Sequence, residues 1–372
     1  MKRIMLATLL SLNAAGSASA ADIVKIGFIG PLTGPDAHWG KDNQNSAQLA
    51  IDTLNRSAPK IAGKPVQFQL VSEDDQEDPK QSTLAAQKLT DAGVQAVVGP
   101  FTSGTTIPAA RILNQAGIPQ FSVAVNSTYT SMGYNNAFRL SAVDTRMGPA
   151  MAQYAFNELK VRRIAMIDDR TAYSQGLADK FEQEAKRLGA QIVRREYATP
   201  GQNNFSPIVT SIRTAKPDLL FVALSDAQAA PLALQLKQLG LNTKVLSGDM
   251  IQTDTFIKLA GNNGEGFMAA VAGNVLAQRA QGRDFLKQYQ ARYGSQPQAY
   301  GPQHYDAVML TAQAMQQAGS TASAKVISAL RKLSFEGVNA SYKFDQHGDL
   351  LQAPITVYQV KQAQWQPIKV TH

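Results

Sequence analysis

The 372-residue chain has no cysteine, so disulfide frameworks and thiol chemistry are excluded together. Histidine is almost as scarce: His38, His304, His347 and His372 make up the whole set. None has surroundings that suggest a base oriented by an acid, and no His-x-x-x-His pair or calcium-loop pattern occurs. Ser103 sits in no Gly-x-Ser-x-Gly elbow, so a Ser/His/Asp hydrolase lacks its parts. Glycine gathers in Gly27-Phe28-Ile29-Gly30 and on to Gly34, yet forms neither Gly-x-Gly-x-x-Gly nor Gly-Lys-Ser/Thr. A nucleotide site has no motif to rest on. Dense Lys/Arg runs interleaved with aromatics are missing too, and the basic balance therefore reads as solvated surface, not a nucleic-acid face. No linker rich in Gly, Pro or Ser and no low-complexity tract interrupts the chain. The expectation is a binding protein that is not an enzyme and needs no cofactor and no metal.

The N-terminus has the build of an export signal. Lys2 and Arg3 precede the apolar run Ile4–Leu12, and Ala18-Ser19-Ala20 offers a small-residue cleavage pattern. This predicts removal of residues 1–20 and a periplasmic destination. The run is too short to span a bilayer. Loss of Lys2 and Arg3 lowers the formal net charge from +8 to +6. The chain is long enough for two domains with substantial cores.

Short apolar runs alternate with helical patterns throughout. Ile26–Ile29, Val66–Leu70, Ala96–Gly99, Ile164–Ile167, Gln191–Tyr197, Leu219–Val222 and Val245-Leu246 read as strands, several apolar throughout as in central parallel strands. Between them, Asn45–Leu54 and Pro79–Ala92 read as helices. Met151, Tyr154, Ala155 and Leu159 form one apolar stripe, and Leu232, Leu236 and Leu239 another, closed by Gly240. The pattern predicts an α/β fold with two parallel sheets covered on both faces. Helices around Asp284–Tyr293 and Tyr305–Gln317 could return to the first domain, which periodicity leaves open. The acidic run Glu73–Asp78 reads as a solvated loop whose last acid caps the helix opened by Pro79.

The segment Gly99-Pro100-Phe101-Thr102-Ser103-Gly104-Thr105-Thr106 joins a buried strand to a helix. Its hydroxyls and free backbone N–H groups would stand at a helix N-terminus, where a carboxylate needs no cation. Asp249 after the Val245 strand and Asp226 after the Leu219 strand are the candidate partners for an ammonium. All three positions follow the C-terminal ends of predicted parallel strands, the ligand face of an open α/β sheet.

Several ordered motifs carry a family resemblance over nearly the whole mature length. They are Ile26–Gly34, Gly40-Lys41-Asp42-Asn43-Gln44-Asn45-Ser46-Ala47, Asp74–Pro79, Ser103–Ala109, Asp169–Gly176, Gly248-Asp249 and Phe344–Asp349. Together they resemble the type I periplasmic binding proteins of ABC transporters, in the leucine/isoleucine/valine-binding branch. The resemblance implies two Rossmann-like three-layer α/β/α lobes joined by three crossovers, the third near Lys343–Gly348. The lobes would comprise 21–142 plus 272–346, and 143–271 plus 347–372, closing by a hinge on the ligand. It implies that Ser103, helped by Gly104, binds an amino-acid carboxylate. The carbonyl of Ala124 and the acid Asp249 would take the ammonium, with Trp39, Tyr173 and Tyr300 enclosing the side chain. The partners would be a small amino acid and an inner-membrane ABC permease, met by a monomer.

Two departures stand out. Ser122–Ser127 is one residue short where the family places a Thr, so that either Val125 or Asn126 occupies its position. Ser225, with Asp226 beside it, replaces a pocket aromatic. A branched-chain amino acid is the expected ligand; an amide, aromatic or polar ligand, and a sensor that docks a signalling partner, are the alternatives.

Overall fold

The computed structural model describes residues 21–371; the export segment expected over 1–20 lies outside the described residues. The first sheet is built from β1 (Asp22–Gly30), β2 (Lys60–Ile61), β3 (Lys64–Asp74), β4 (Ala96–Val98), β5 (Gln120–Ser122) and β6 (Ala137–Arg139). They lie in the order β2-β3-β1-β4-β5-β6. All pairs are parallel except the short β2–β3 turn-back. Its helices are α1 (Ala37–Arg56), α2 (Pro79–Asp91), α3 (Ser103–Gln115) and the single turn α4 (Thr128–Ser131). Period-2 geometry divides β1 between two cores. Val24, Ile26 and Phe28 join Leu49 and Ala50 of α1, whereas Ile29 joins Leu89 and Leu113 of α2 and α3. Each fully buried Leu or Phe contributes about 1.5–3 kcal/mol.

The second sheet takes β7 (Arg163–Asp168), β8 (Gln191–Tyr197), β9 (Leu219–Ala223), β10 (Lys244–Ser247) and β11 (Met268–Ala272) as parallel strands. Around it lie α5 (Asp144–Asn157), α6 (Ala172–Arg187), α7 (Ser206–Thr214), α8 (Asp226–Gln238) and α9 (Asp254–Ala260). Then α10 (Ala280–Tyr293), α11 (Gly301–Ala318) and α12 (Ser323–Leu330) precede a small ribbon of β12 (Phe335–Glu336) and β13 (Ser341–Tyr342). The helices α10 and α11 go back to the first sheet. Tyr289 donates to Asp42 Oδ1 at 2.6 Å and Tyr293 to the Asn45 carbonyl at 2.8 Å.

Three sequence-based expectations are corrected. The first helix starts at Ala37, not Asn45; its early turns bury Asp42, Asn43 and Ser46, and polar residues on the inner face hide the apolar period. The stripe residue Leu159 falls beyond α5, which ends at Asn157. The second sheet is not wholly parallel: β14 (Ile355–Lys361) and β15 (Gln364–Thr371) add an antiparallel hairpin beside β11. Its two-residue turn has Gln362 and Ala363 at φ 54° and 56°. That is the positive-φ geometry of a tight hairpin, but without the Asn-Gly or Asp-Gly that would announce it.

Three segments connect the two sheets: Leu140–Val143 after β6, Gly273–Arg279 after β11, and Lys343–Pro354 after β13. In the third, Asp345 accepts the N–H groups of His347, Gly348 and Asp349. The resulting turn is pinned to β6, where the Arg139 N–H donates to the Gly348 carbonyl at 2.8 Å. Arg146 of α5 then holds the Leu350 and Leu351 carbonyls.

Candidate functional site

The loop Gly99–Thr102 runs from β4 to the start of α3. Gly99 has φ 103°, and a Cβ there would lie 2.0 Å from the Ile29 carbonyl, so only glycine lets the loop pass β1 so closely. Ser122 at the end of β5 ties this loop to the next one. Its Oγ donates to the Pro100 carbonyl at 2.8 Å and accepts the Ala124 N–H at 3.0 Å. Thr106 also donates to the Pro100 carbonyl. Ser103, fully buried, opens α3, and its Oγ accepts the Asn126 N–H at 3.2 Å. The first intrahelical bond of α3 runs from Thr106 to the Thr102 carbonyl. The N–H groups before it are the orphans that an anion can use, with the positive end of the helix dipole behind them.

The opposite side comes from the second sheet. Tyr173, near the start of α6, donates its hydroxyl to Asp249 Oδ1 at 2.5 Å. A Cβ at Gly248 would lie 2.3 Å from the Tyr173 hydroxyl, so this glycine gives the phenol access to the acid. Asp249 is fully buried and its Oδ2 has no partner among the described residues. Burial pushes its pKa up to about 6, against the lowering effect of the Tyr173 hydroxyl and nearby N–H groups. Burial, with the Asp249 charge, also raises the Tyr173 phenol well above its usual range. A buried carboxylate with one idle oxygen is costly until a cation meets it.

Between the two sides lies a small pocket, with a cavity volume of about 10 Å³. Phe101, Thr102, Ser103, Val123, Ala124, Val125 and Tyr300 line it from the first sheet's side, Tyr173 and Met250 from the second's. Of the residues expected at the site, Ser103, Ala124, Tyr173 and Tyr300 are in this lining. Asp249 stands behind Tyr173, next to Met250.

Others are placed differently. Trp39 is fully buried behind Phe101, ring centroids 5.3 Å apart and nearly parallel. Gly104 sits inside the first turn of α3 and does not line the pocket. The Ala124 carbonyl, expected to face an ammonium, accepts from the buried Arg139 guanidinium. Arg139 also donates to the Asn126 carbonyl at 3.0 Å and pairs with Asp349 at 2.7 Å. Asn126 reaches across to α6, donating from Nδ2 to the Ala172 carbonyl at 2.7 Å. At the Ser122–Ser127 departure, Val125 faces the pocket and Asn126 does not.

Asp226 lies away from the pocket, with both oxygens already engaged. It accepts from Thr253 at 2.7 Å and from the Ala227 N–H at 2.8 Å, and pairs with His38 Nε2 at 2.8 Å. An acid so occupied has little capacity left for a ligand ammonium.

The acidic run is only partly the solvated loop expected. Asp78 does cap α2, accepting from Lys80 and Gln81. Asp75 is fully buried, however, and burial lifts its pKa to about 6. Glu77 packs against Asp36, and burial with that neighbouring charge raises it well above the usual carboxylate range. The pair therefore retains a proton where a solvated acid would not.

Phe101, Met250 and the His38–Asp226 pair were not singled out from sequence. Phe101 did carry a usable signal, because it directly follows the C-terminal end of a buried parallel strand.

Fold and cleft together define a solute-binding protein of two mainly parallel sheets that meet at the C-terminal ends of their parallel strands. The chain belongs to the periplasmic binding protein family, whose model matches residues 23–364, and to its branched-chain amino acid branch. It is 33% identical to a Leu/Ile/Val-binding protein homolog from Brucella abortus, over 90% of this chain and 89% of the relative. Among solved structures, a leucine binding protein from Thermotoga maritima is 25% identical with TM-score 0.87, covering 93% of this chain and 98% of that one. A branched-chain amino acid transporter substrate binding protein from Streptococcus pneumoniae, in complex with isoleucine, has the same identity and TM-score. It covers 94% of this chain and 99% of its own.

Proposed function

We propose that this protein is the periplasmic receptor of an ABC importer, which captures a small apolar amino acid and delivers it to an inner-membrane permease. One observation carries this reading: an open helix start at Ser103 faces Tyr173, backed by the buried, half-partnered Asp249, across a small pocket. Such an arrangement suits a zwitterion, with the carboxylate on the α3 N–H groups and the ammonium toward the Asp249–Tyr173 pair. The ligands named for the Thermotoga and Streptococcus relatives support an aliphatic side chain. In this reading residues 21–142 with 272–346, and 143–271 with 347–372, are the lobes of a monomer that close about the three connecting segments.

Calorimetry with alanine, valine, leucine, isoleucine, phenylalanine, simple amides and benzoate tests it. At least one amino acid is expected to bind at micromolar affinity or better, on the order of −8 kcal/mol. Ser103→Ala is expected to weaken that binding about tenfold or more. Binding of benzoate with no binding of any amino acid would overturn the zwitterion reading.

A further inference from the structure

We propose that the cleft closes on a proton: Asp36 and Glu77 share one hydrogen between their carboxyls in the closed molecule, and it is taken from solvent as the two lobes meet on the ligand. The inference rests on the two-lobe, amino-acid-binding reading of the protein. It concerns acids that take no part in lining the ligand pocket.

Glu77 lies in the turn between β3 and α2. Gln76 and Glu77 both adopt left-handed backbone there, with φ 51° and 57°, a conformation that costs a non-glycine residue. Asp74 and Asp75 hold the turn, accepting the Gln76 N–H at 2.9 Å and the Glu77 N–H at 3.0 Å. Asp36 stands at the N-terminal cap position of α1, yet its carboxyl makes no capping bond. Instead the carboxyls of Asp36 and Glu77 meet within hydrogen-bonding distance. Asp36 Oδ1 and Glu77 Oε2 are buried without a donor among the described residues, and so is Oδ2 of the fully buried Asp75. Two ionised carboxylates have no hydrogen to offer each other, so their contact is unfavourable. One shared proton supplies the missing donor.

The second sheet brings more charge of the same sign. Asp226 and Asp169 face Asp36, and Asp169 faces Glu77 as well. Asp169 is buried after β7, with Oδ1 accepting the Thr171 N–H at 3.1 Å. From the first sheet's side, Asp75 faces Glu77 and His38 faces Asp36, but His38 is already paired with Asp226 at 2.8 Å. Burial raises both acids, and the neighbouring carboxylates raise them further; at Asp36 this outweighs the lowering by the Glu77 hydrogen bond and by His38. When the lobes part, water reaches the pair, Asp169 and Asp226 move away, and the proton returns to solvent. The two acids remain side by side on the first lobe, which keeps one of them above the ordinary range even then. That confines the exchange to neutral and mildly alkaline pH.

The test is titration calorimetry of alanine, valine and leucine at pH 7.5 in phosphate, HEPES and Tris, whose different ionisation enthalpies report the protons taken up on binding. Wild type is expected to take up about half a proton or more per ligand bound. The state that holds more protons is favoured as pH falls, so affinity should rise several-fold from pH 8.5 to pH 7.0. Glu77→Gln and Asp36→Asn each place a permanent N–H donor at the contact, and each should remove most of the uptake and flatten the pH dependence. His38→Asn should keep the larger part of both. Binding without proton uptake by wild type, or uptake unchanged in both amide variants, would overturn the proposal. Loss of uptake in His38→Asn as large as in Glu77→Gln would overturn it in favour of the His38–Asp226 pair. Failure of wild type to bind any of the three amino acids would instead remove the reading of the site on which the inference rests. Should one amide variant fail to fold, its melting curve will show it, and the other decides the question.

Discussion

In the proposed reading, Asp249 trades stability for binding. Its carboxyl is buried, Oδ2 has no partner, and its pKa is pushed up to about 6. An acid whose pKa rises on folding binds more protons in the folded than in the unfolded chain. Its effect is therefore a loss of stability as pH climbs from the ordinary value near 3.8 through about 6. Asp249→Asn should raise the melting temperature of the ligand-free protein at pH 7.5, while weakening amino-acid binding about tenfold or more. A lower melting temperature would refute the buried-charge cost. The same acid predicts affinity that falls below pH 6, by about tenfold at pH 5, as the ammonium's partner protonates. Calorimetry across pH 5–7.5 reads this directly. Asp226→Asn should leave amino-acid binding within about twofold of wild type, since Asp226 already holds His38 and Thr253.

At the scale of elements, two contacts reach from helix to helix or loop to helix between the sheets. His38 of α1 pairs with Asp226 at the start of α8, at 2.8 Å. Burial pulls the imidazole down, but the hydrogen bond and charge of Asp226, with Asp36 adding to them, raise its pKa above the usual 6.5. The pair's contribution is thus fully present below pH 6.5 and is lost as pH rises through the raised value. In His38→Asn the decline in melting temperature between pH 6 and pH 8 should be smaller than in wild type; an identical decline would exclude this pair as its source. The second contact is Asn126 to the Ala172 carbonyl, at 2.7 Å. Asn126 is also bonded through its N–H to Ser103 Oγ, so the bridge is tied directly to the start of α3. Asn126→Ala should speed ligand release several-fold with little change in the association rate, because the bond ties the two sides of the cleft together. Stopped-flow measurements separate the two rates.

For the whole molecule, the alternation of apolar runs and amphipathic helices was enough to specify an α/β chain with two sheets. Buried strands such as Ile164–Ile167 and Leu219–Val222 have no solvated face, and that pattern is local. Ser103 was legible for the same reason, since a strand, a hydroxyl-rich turn and a helix in succession create free N–H groups wherever they fold. The antiparallel β14–β15 hairpin was not legible, because its turn uses Gln362 and Ala363 at positive φ without the usual residues. Nor were the surroundings of Arg139, which pairs with the distant Asp349, or of Asp75 and Glu77, which burial and neighbouring acids raise. Sequence by itself determined most of the elements and the free N–H groups at the start of α3, which follow from local periodicity and backbone geometry. Only the tertiary structure decided that Phe101 and not Trp39 is the pocket wall, that Asp226 belongs to His38, and that Asn126 bridges to α6. Those outcomes depend on side-chain volume and on which of several competing polar partners comes within bonding distance, and these become defined only when the two sheets pack together.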